Sequence, residues 1–412
     1  MKNTTRNGVI FNALSGGINA IQSVIWLMII TRVLGLTDAG IFTIAYATSN
    51  LFLMIGKYGI RNFQVSDVKK SYTWTDYYIS RILTVIAMMA AALIYSLYMN
   101  LSGSYTIYKA IVVFLMTLLK AADAYEDVYY GMYQQNGRLD LAGLAMSIRL
   151  GGQLIFLSVC VLFNLDLLIS LILTNIFSWV LLFILLKKFN SKFEFDNISP
   201  DKKRVKKIFI LCAPLFLSSF VSYYVCNLSK YAIDRIMGEA EQAYYGFISM
   251  PVFVVFLFTN FIYQPMLKDI SELWVEQKKL LFKKKLLSAV SLIGIISIIV
   301  LVGGWFLGVW GLGILYGVNM EKYKYELMVL LIGSVFYAFS AFFSVIMTVM
   351  RKQKFALYVY VAVLIVFQFA TTYLVKSHGI MGASLSYALS MGIVALLYLS
   401  IVVLQIRNMS SE

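Results

Sequence analysis

The sequence predicts an all-α integral membrane protein of about twelve transmembrane helices in two six-helix bundles. Two observations support this fold class. Of the 412 residues, 60% are hydrophobic and only 13% are charged, and twelve apolar segments are each long enough to cross a bilayer. A spanning helix needs about 20 apolar residues, and hydrocarbon admits only helices or closed barrels because it offers backbone groups no water. The chain is therefore expected to reside in a membrane.

The twelve segments form two groups of six around a basic stretch. The predicted spans of the first group are 9–31, 40–56, 77–99, 106–131, 141–162 and 166–186. Those of the second group are 208–229, 243–267, 286–316, 326–350, 355–375 and 380–406. The ninth span is too long for one straight crossing, so we expect it to tilt or to end near Gly303. The expected domains are an N-terminal bundle (1–187), a basic cytoplasmic linker (188–207) and a C-terminal bundle (208–412).

The basic residues orient this topology. With the N-terminus inside, most of the 35 lysine and arginine residues fall in the cytoplasmic segments, which is the positive-inside pattern. Both termini are therefore expected to be cytoplasmic. The net charge of +15 is then mostly explained by the basic residues that orient the chain in the membrane. Anionic membrane lipids are expected partners of these residues. Nucleic acid is not an expected partner, because no loop is long enough for a folded basic domain.

The two halves share a short motif. Residues 32–42 align with residues 235–245 through an arginine, two apolar residues, a glycine, an acid and an aromatic residue. A weaker similarity pairs residues 131–138 with residues 347–354. Two same-orientation copies of six helices form a parallel repeat, and transporters built in this way commonly hold the substrate between the halves.

Further motifs follow one another in a recognisable order along the spans. They are Thr-Arg-Val-Leu-Gly at 31–35, Asp-Ala-Gly-Ile-Phe at 38–42, Gly-Lys-Tyr-Gly at 56–59, Tyr-Gly-Met-Tyr-Gln-Gln-Asn-Gly-Arg at 130–138 and His-Gly-Ile-Met-Gly-Ala at 378–383. In this order they resemble the Wzx-type flippases of O-antigen and capsular polysaccharide repeat units. That family lies within the multidrug/oligosaccharidyl-lipid/polysaccharide exporter (MOP) superfamily. The resemblance covers essentially the whole chain and implies a MATE-like, V-shaped pair of bundles with a central cavity.

The resemblance also implies a function. Such a flippase moves a polyprenyl-pyrophosphate-linked oligosaccharide from the cytoplasmic to the outer face of the bacterial cytoplasmic membrane by alternating access. The lipid-linked oligosaccharide is then the main partner, and a polysaccharide polymerase is a further candidate. The chain is not expected to be an enzyme or to need a cofactor, although coupling to H⁺ or Na⁺ stays open.

Two alternatives stay open. A drug/cation antiporter of the same superfamily would need a protonatable acid in the cavity. A polytopic polysaccharide polymerase or transferase would usually carry a sizeable outer loop, whereas the predicted outer loops are short. The chain has no Gly-x-x-x-x-Gly-Lys phosphate-binding loop, so ATP is not expected to drive transport directly. A metal site is not expected, because His378 is the only histidine and no cysteine lies near it.

Charged residues within spans mark the first candidate site, because charge in a membrane is costly and usually functional. Lys120, Asp123 and Asp127 share one face of the fourth predicted helix, and Arg149 lies at similar depth on the fifth. We expect Asp123 and Arg149 to approach each other, with Lys120 about one turn outward. Either this is a neutralised pair that joins two helices, or Arg149 and Lys120 offer positive charge to the pyrophosphate, with Asp123 as partner or ion-coupling acid. Glu126 and Asp127 are expected near the inner surface, in contact with water.

A polar stripe on the first helix is the candidate for sugar contacts. Asn12, Asn19 and Gln22 recur at helical spacing, and amides both donate and accept hydrogen bonds. Polar side chains also bind helices to one another in lipid. Cavity lining and helix contact are therefore both open.

Three of the four prolines lie in predicted helices seven and eight, at Pro214, Pro251 and Pro265. Proline removes a backbone donor and commonly kinks a helix. These residues are candidate gating positions, and a static kink that only shapes the cavity is the alternative.

Overall fold

The structure is a computed structural model that describes residues 2–67, 69–193 and 199–409, and within these it describes no side chain for residues 2–5, 253–254, 256–265 and 268. Throughout the described part the regular structure is helical. The helices are α1 (Lys2–Val33), α2 (Leu36–Lys57), α3 (Ile60–Ser66), α4 (Trp74–Leu101), α5 (Ile107–Gln135), α6 (Leu139–Leu162), α7 (Leu167–Asn190), α8 (Lys202–Ile236), α9 (Glu239–Val275), α10 (Lys279–Gly303), α11 (Val309–Tyr316), α12 (Lys324–Val349) and α13 (Lys354–Arg407). The predicted all-α class is confirmed.

Nine helical stretches in the described part of the chain are long and apolar enough to cross a membrane. The longest is α13, whose 54 residues would extend about 80 Å as one helix, far beyond a hydrocarbon core of about 30 Å. It is interrupted at Gly379, where φ is 56° and ψ is −132°. The two parts, 354–378 and 380–407, correspond to the eleventh and twelfth predicted spans.

The α-helix of the ninth predicted span ends at Gly303, the position near which the sequence predicted an end. α10 ends at Gly303, and a π-helical turn over Gly304–Gly308 leads directly into α11. The chain therefore continues as helix beyond this point. At the expected linker, α7 extends to Asn190 and α8 begins at Lys202, while residues 194–198 lie outside the described part.

The helices form two compact units, Met1–Phe220 and Val221–Glu412. The division falls inside α8 rather than at residue 208, where the second bundle was expected to begin. In the first unit α5 is central and contacts α2, α4, α6 and α7, while α1 packs against α6. In the second unit α12 contacts α9, α10 and α13.

The candidate gating prolines lie inside long helices. Pro214 is in the interior of α8, and Pro251 is half-buried in α9. Both helices continue through these positions. The side chain of Pro265 lies outside the described residues. A gating role for the three stays a prediction.

Replacing Gly379 by alanine is expected to destabilise the second unit. A positive φ combined with this ψ is a backbone conformation available essentially to glycine alone, and forcing a side chain into it costs about 1–3 kcal/mol. A Cβ at this position would also lie 3.3 Å from Cε of Met237. The thermal midpoint of the purified protein measures the effect. Gly294→Ala is the control, because Gly294 lies within α10 with nothing within 4 Å of an added Cβ; equal midpoints for the two variants would contradict the prediction.

Candidate functional site

The central helix α5 carries four charged side chains from its middle onward, and all of them are buried. They are Lys120, Asp123, Glu126 and Asp127. The expectation that Glu126 lies in water is therefore wrong, whereas the Asp127 side chain stays 10% exposed. Each of these two carboxylates forms a salt bridge with a fully buried arginine of a neighbouring helix, which compensates for the lost solvation.

Arg149 of α6 is the centre of the first group of charges. Its Nε lies 2.5 Å from Oε2 of Glu126, and its Nη2 lies 2.6 Å from Oε1 of Glu126 and 2.5 Å from Oδ1 of Asp123. Its Nη1 donates to Oε1 of Gln153 at 2.9 Å and approaches the hydroxyl of Ser178 at 3.5 Å. The predicted approach of Asp123 and Arg149 is confirmed. All five guanidinium donors face an acceptor within the protein.

Lys120 and Tyr130 complete this group. The ammonium of Lys120 lies 3.2 Å from Oδ2 of Asp123 and 5.0 Å from the centre of the Tyr46 ring. The Tyr130 hydroxyl donates to Oε2 of Glu126 at 2.9 Å. Two cations thus balance two carboxylates in a neutral cluster. A buried cluster requires such pairing, because an uncompensated charge would be strongly destabilising.

The arrangement of Arg149 suits a contact that joins α5 to α6, which was the first of the two interpretations. Its donors are occupied, and the side chain is completely buried. The part of Arg149, Lys120 and Asp123 in substrate binding stays a prediction.

Asp127 belongs to a second group of charges, which joins α5 to α2, α3 and α4. Nη2 of Arg81 lies 2.8 Å from Oδ2 of Asp127, and Nη1 of Arg61 lies 3.5 Å from Oδ1. Arg81 also donates to the Gly56 carbonyl oxygen, which accepts a further hydrogen bond from the Thr84 hydroxyl at 2.8 Å. Arg81 is fully buried, whereas the Arg61 side chain is 24% exposed.

A cleft of about 440 Å³ opens beside this second group. Its lining residues are Lys57, Gly59, Arg61, Asn62, Val65, Asp127 and Gln134. The helices α2 and α3 are joined by two left-handed residues, Tyr58 (φ 48°) and Gly59 (φ 71°). This turn brings Lys57, at the end of α2, and Arg61, in the first turn of α3, to the same cleft.

The electrostatic balance of the cleft is positive. Two cations, Lys57 and Arg61, and one carboxylate, Asp127, line it. Arg81 already neutralises that carboxylate from outside the lining, through the 2.8 Å salt bridge. A phosphate group entering the cleft would therefore meet two cationic groups, and arginine and lysine both bind phosphate well.

Sequence reasoning missed this cleft. Lys57 and Arg61 lie between the second and third predicted spans, where they only add to the basic residues that orient the chain, and Arg81 lies within the third predicted span. One signal was present, because the Gly-Lys-Tyr-Gly motif at residues 56–59 places a cation directly before a turn. The left-handed conformation of Tyr58 could not be foreseen, since tyrosine rarely adopts it.

The polar stripe of α1 does not form one surface. The Asn12 side chain donates to the carbonyl oxygens of Gly8 at 2.7 Å and of Leu139 at 3.2 Å, so it links α1 to α6. Asn19 is exposed. Gln22 is fully buried, and neither of its amide atoms has a hydrogen-bond partner. Sugar contacts by these residues stay a prediction.

Replacing Gln22 by methionine is expected to stabilise the protein. A buried polar group without a partner costs about 1–3 kcal/mol, and methionine fills a similar volume without a polar atom. The thermal midpoint should rise. Gln153→Met is the matched control, because Oε1 of Gln153 accepts a hydrogen bond from Arg149 and its loss should lower the midpoint. A fall in the midpoint for Gln22→Met would show that the amide is satisfied in the folded protein.

The family of polysaccharide biosynthesis proteins matches this chain over residues 5–271. The chain is also similar to the capsular polysaccharide biosynthesis protein CapF of Staphylococcus aureus. The two are 25% identical over 392 residues, which cover 92% of this chain and 95% of that protein.

Solved structures show the same fold. A multidrug resistance MATE family transporter of the MOP superfamily, in an inward-facing conformation, superposes with a TM-score of 0.73 at 12% identity over 95% of both chains. A eukaryotic MATE transporter superposes with a TM-score of 0.66 at 14% identity over 98% of both chains. The predicted MATE-like fold and the resemblance to Wzx-type flippases are confirmed. The fold is the one found in MATE transporters, and the chain is a multi-pass membrane protein that belongs to the polysaccharide biosynthesis protein family.

Proposed function

We propose that this protein is a flippase that moves a polyprenyl-pyrophosphate-linked oligosaccharide from the cytoplasmic to the outer face of the bacterial cytoplasmic membrane. The oligosaccharide would be the repeat unit of a surface polysaccharide. Membership of the polysaccharide biosynthesis family and the similarity to a capsular protein support this substrate class. The observation that carries the proposal is the cationic cleft of Lys57 and Arg61, since a pyrophosphate headgroup crossing a membrane protein needs positive charge.

The salt bridges around Asp127 suggest how the cleft receives the headgroup. The Arg61 guanidinium lies 3.5 Å from Asp127, at the limit of a hydrogen bond, and 3.2 Å from Oε1 of Gln134. Arg61 can exchange the long contact with Asp127 for a phosphate oxygen while it keeps the bond to Gln134. Asp127 then keeps its 2.8 Å salt bridge with Arg81. The carboxylate stays neutralised while Lys57 and Arg61 bind the phosphates.

The proposed direction of transport rests on the orientation that the sequence predicts for the chain. The distribution of basic residues assigns the end of α2, and with it the cleft, to the cytoplasmic side, where the lipid-linked sugar would be loaded. A membrane potential that is positive outside favours outward movement of an anion by about 2.3 kcal/mol per charge at 100 mV. Coupling of transport to H⁺ or Na⁺ through Asp123 would act in addition to the membrane potential. Lys120 and Arg149 both form salt bridges with Asp123. A proton-driven drug antiporter needs an acid that takes up and releases a proton, and these two salt bridges do not favour that role for Asp123.

The test is to measure the pool of polyprenyl-linked lipids by mass spectrometry with the gene intact and after its depletion. The proposal predicts that pyrophosphate-linked repeat units accumulate on depletion and return to the starting level on complementation. An unchanged pool would overturn the proposal. Drug accumulation with the Asp123→Asn variant would then test the antiporter alternative.

A further inference from the structure

The second unit contains an apolar groove of about 860 Å³ between α10, α12 and the last part of α13. Both α10 and α13 pack against α12, which forms the floor. Three phenylalanines of α12, Phe336, Phe339 and Phe343, face the groove at helical spacing. Gly392 of α13 lines the groove with backbone atoms alone, and a Cβ added there would lie 3.4 Å from the Phe336 ring. The surface is therefore concave because glycine on α13 leaves room beside the phenylalanine rings of α12.

Two cations lie at one end of this groove. Every lining residue is apolar except Lys283 and Arg407, and both of these side chains are exposed. Nζ of Lys279 donates to the carbonyl oxygens of Arg407 at 3.2 Å and of Met409 at 2.7 Å. These bonds hold the end of α13 against the start of α10. Lys283 lies one turn after Lys279 on the same face of α10, so Lys283 and Arg407 both line the groove at the end where the start of α10 contacts the end of α13.

The two cations have no acidic partner among the described residues. The salt bridges of this region use other lysines, Lys278 with Glu276 and Lys285 with Asp269. Within the part of the chain that the structure describes, two positive charges without an acidic partner therefore stand at one end of an apolar groove. That combination is complementary to a molecule with an anionic head and a hydrocarbon chain.

We propose that this groove is a binding site for one anionic phospholipid, with its phosphate between Lys283 and Arg407 and an acyl chain against the phenylalanines of α12. The α13 wall, from Gly392 to Arg407, is about 22 Å long. It exceeds the roughly 15 Å of hydrocarbon in one leaflet, so an acyl chain is covered along its whole depth. Basic pockets between membrane helices commonly bind anionic lipid headgroups.

The occupant we propose is a bulk membrane phospholipid, because the groove is lined by exposed apolar side chains, such as Leu287 and Leu396, on helices apolar enough to cross a membrane. Occupancy depends on concentration as well as on affinity, and bulk phospholipid greatly outnumbers any lipid-linked intermediate. The two cations then select anionic headgroups from zwitterionic ones. This site does not depend on the proposed flippase activity.

Lipid binding to the purified protein tests the proposal, with native mass spectrometry as the measurement and phosphatidylglycerol and phosphatidylcholine as the probes. Wild-type protein should bind phosphatidylglycerol with a roughly tenfold preference, given the electrostatic contribution of two basic residues. The Lys283→Gln/Arg407→Gln variant should lose this preference. Lys284→Gln should keep it, because Lys284 is equally exposed but does not line the groove.

A second variant separates the groove from general surface charge. Leu399→Trp should reduce binding of both lipids, since a larger side chain fills the apolar part while both cations stay in place. The proposal is overturned if wild type shows no preference, if the charge variant keeps it, or if Leu399→Trp binds both lipids as wild type does. Displacement of phosphatidylglycerol by an equimolar polyprenyl phosphate would also overturn it, because the occupant would then be an isoprenoid.

Discussion

Arg149→Met is expected to lose most of its folded protein. The substitution leaves Glu126 without its bidentate partner and Asp123 with Lys120 alone, at buried positions. Breaking a buried ion pair by removing one partner typically costs about 3–5 kcal/mol, a large share of the roughly 5–15 kcal/mol that holds a protein folded. The yield of monodisperse protein and its thermal midpoint measure the loss.

A neutral double variant tests why Arg149 matters. Glu126→Gln/Arg149→Met removes one charge of each sign and keeps the salt bridge between Lys120 and Asp123, so stability should largely return. Because every donor of Arg149 is engaged within the protein, we also expect this variant to transport. A double variant that folds but does not transport would contradict that expectation and assign Arg149 to the substrate.

Lys57→Gln/Arg61→Gln is expected to abolish transport while leaving the fold intact. Both side chains are partly exposed at the cleft, so neither substitution leaves a buried charge without a partner; Asp127 keeps Arg81. Loss of two charge-assisted contacts to phosphate, each worth about 1.5–3 kcal/mol, should weaken binding by about 100-fold or more. Binding of the lipid-linked oligosaccharide to purified protein measures this directly.

The matched control replaces two lysines that lie between α3 and α4 and do not line the cleft. Lys69 and Lys70 are exposed, and Lys69→Gln/Lys70→Gln removes the same net charge. This control should bind and transport nearly as wild type. Equal losses in the two double variants would mean that only the general surface charge matters, and that the cleft is not the binding site.

The helices were predictable because hydrocarbon imposes a length and a composition on every span. The division of α13 at Gly379 is an example, since the short polar segment Lys-Ser-His-Gly at residues 376–379 separates two predicted spans there. The approach of Asp123 and Arg149 was also predictable, because depth in the membrane can be counted from a turn along two antiparallel helices.

Contacts that depend on a partner helix were not predictable in the same way. Helical spacing put Asn12 and Gln22 on one stripe, yet it could not reveal that Asn12 would bond to α6 while Gln22 would be buried without a partner. The position of Glu126 near the inner end of its span predicted contact with water. The sequence does not show that both carboxylate oxygens of Glu126 bind Arg149 instead. The cleft depends on the unusual backbone of Tyr58, which no residue pattern indicates.

Translocation in proteoliposomes tests the flippase proposal most directly. The substrate is a fluorescent polyprenyl-pyrophosphate-linked oligosaccharide, and its loss from one leaflet is followed with a membrane-impermeant quencher. We predict that wild-type protein and the Lys69/Lys70 control move the lipid, that the Lys57/Arg61 variant does not, and that a polyprenyl lipid without pyrophosphate is not moved. Equal rates for wild type and the Lys57/Arg61 variant, or no movement with folded wild-type protein, would contradict the account.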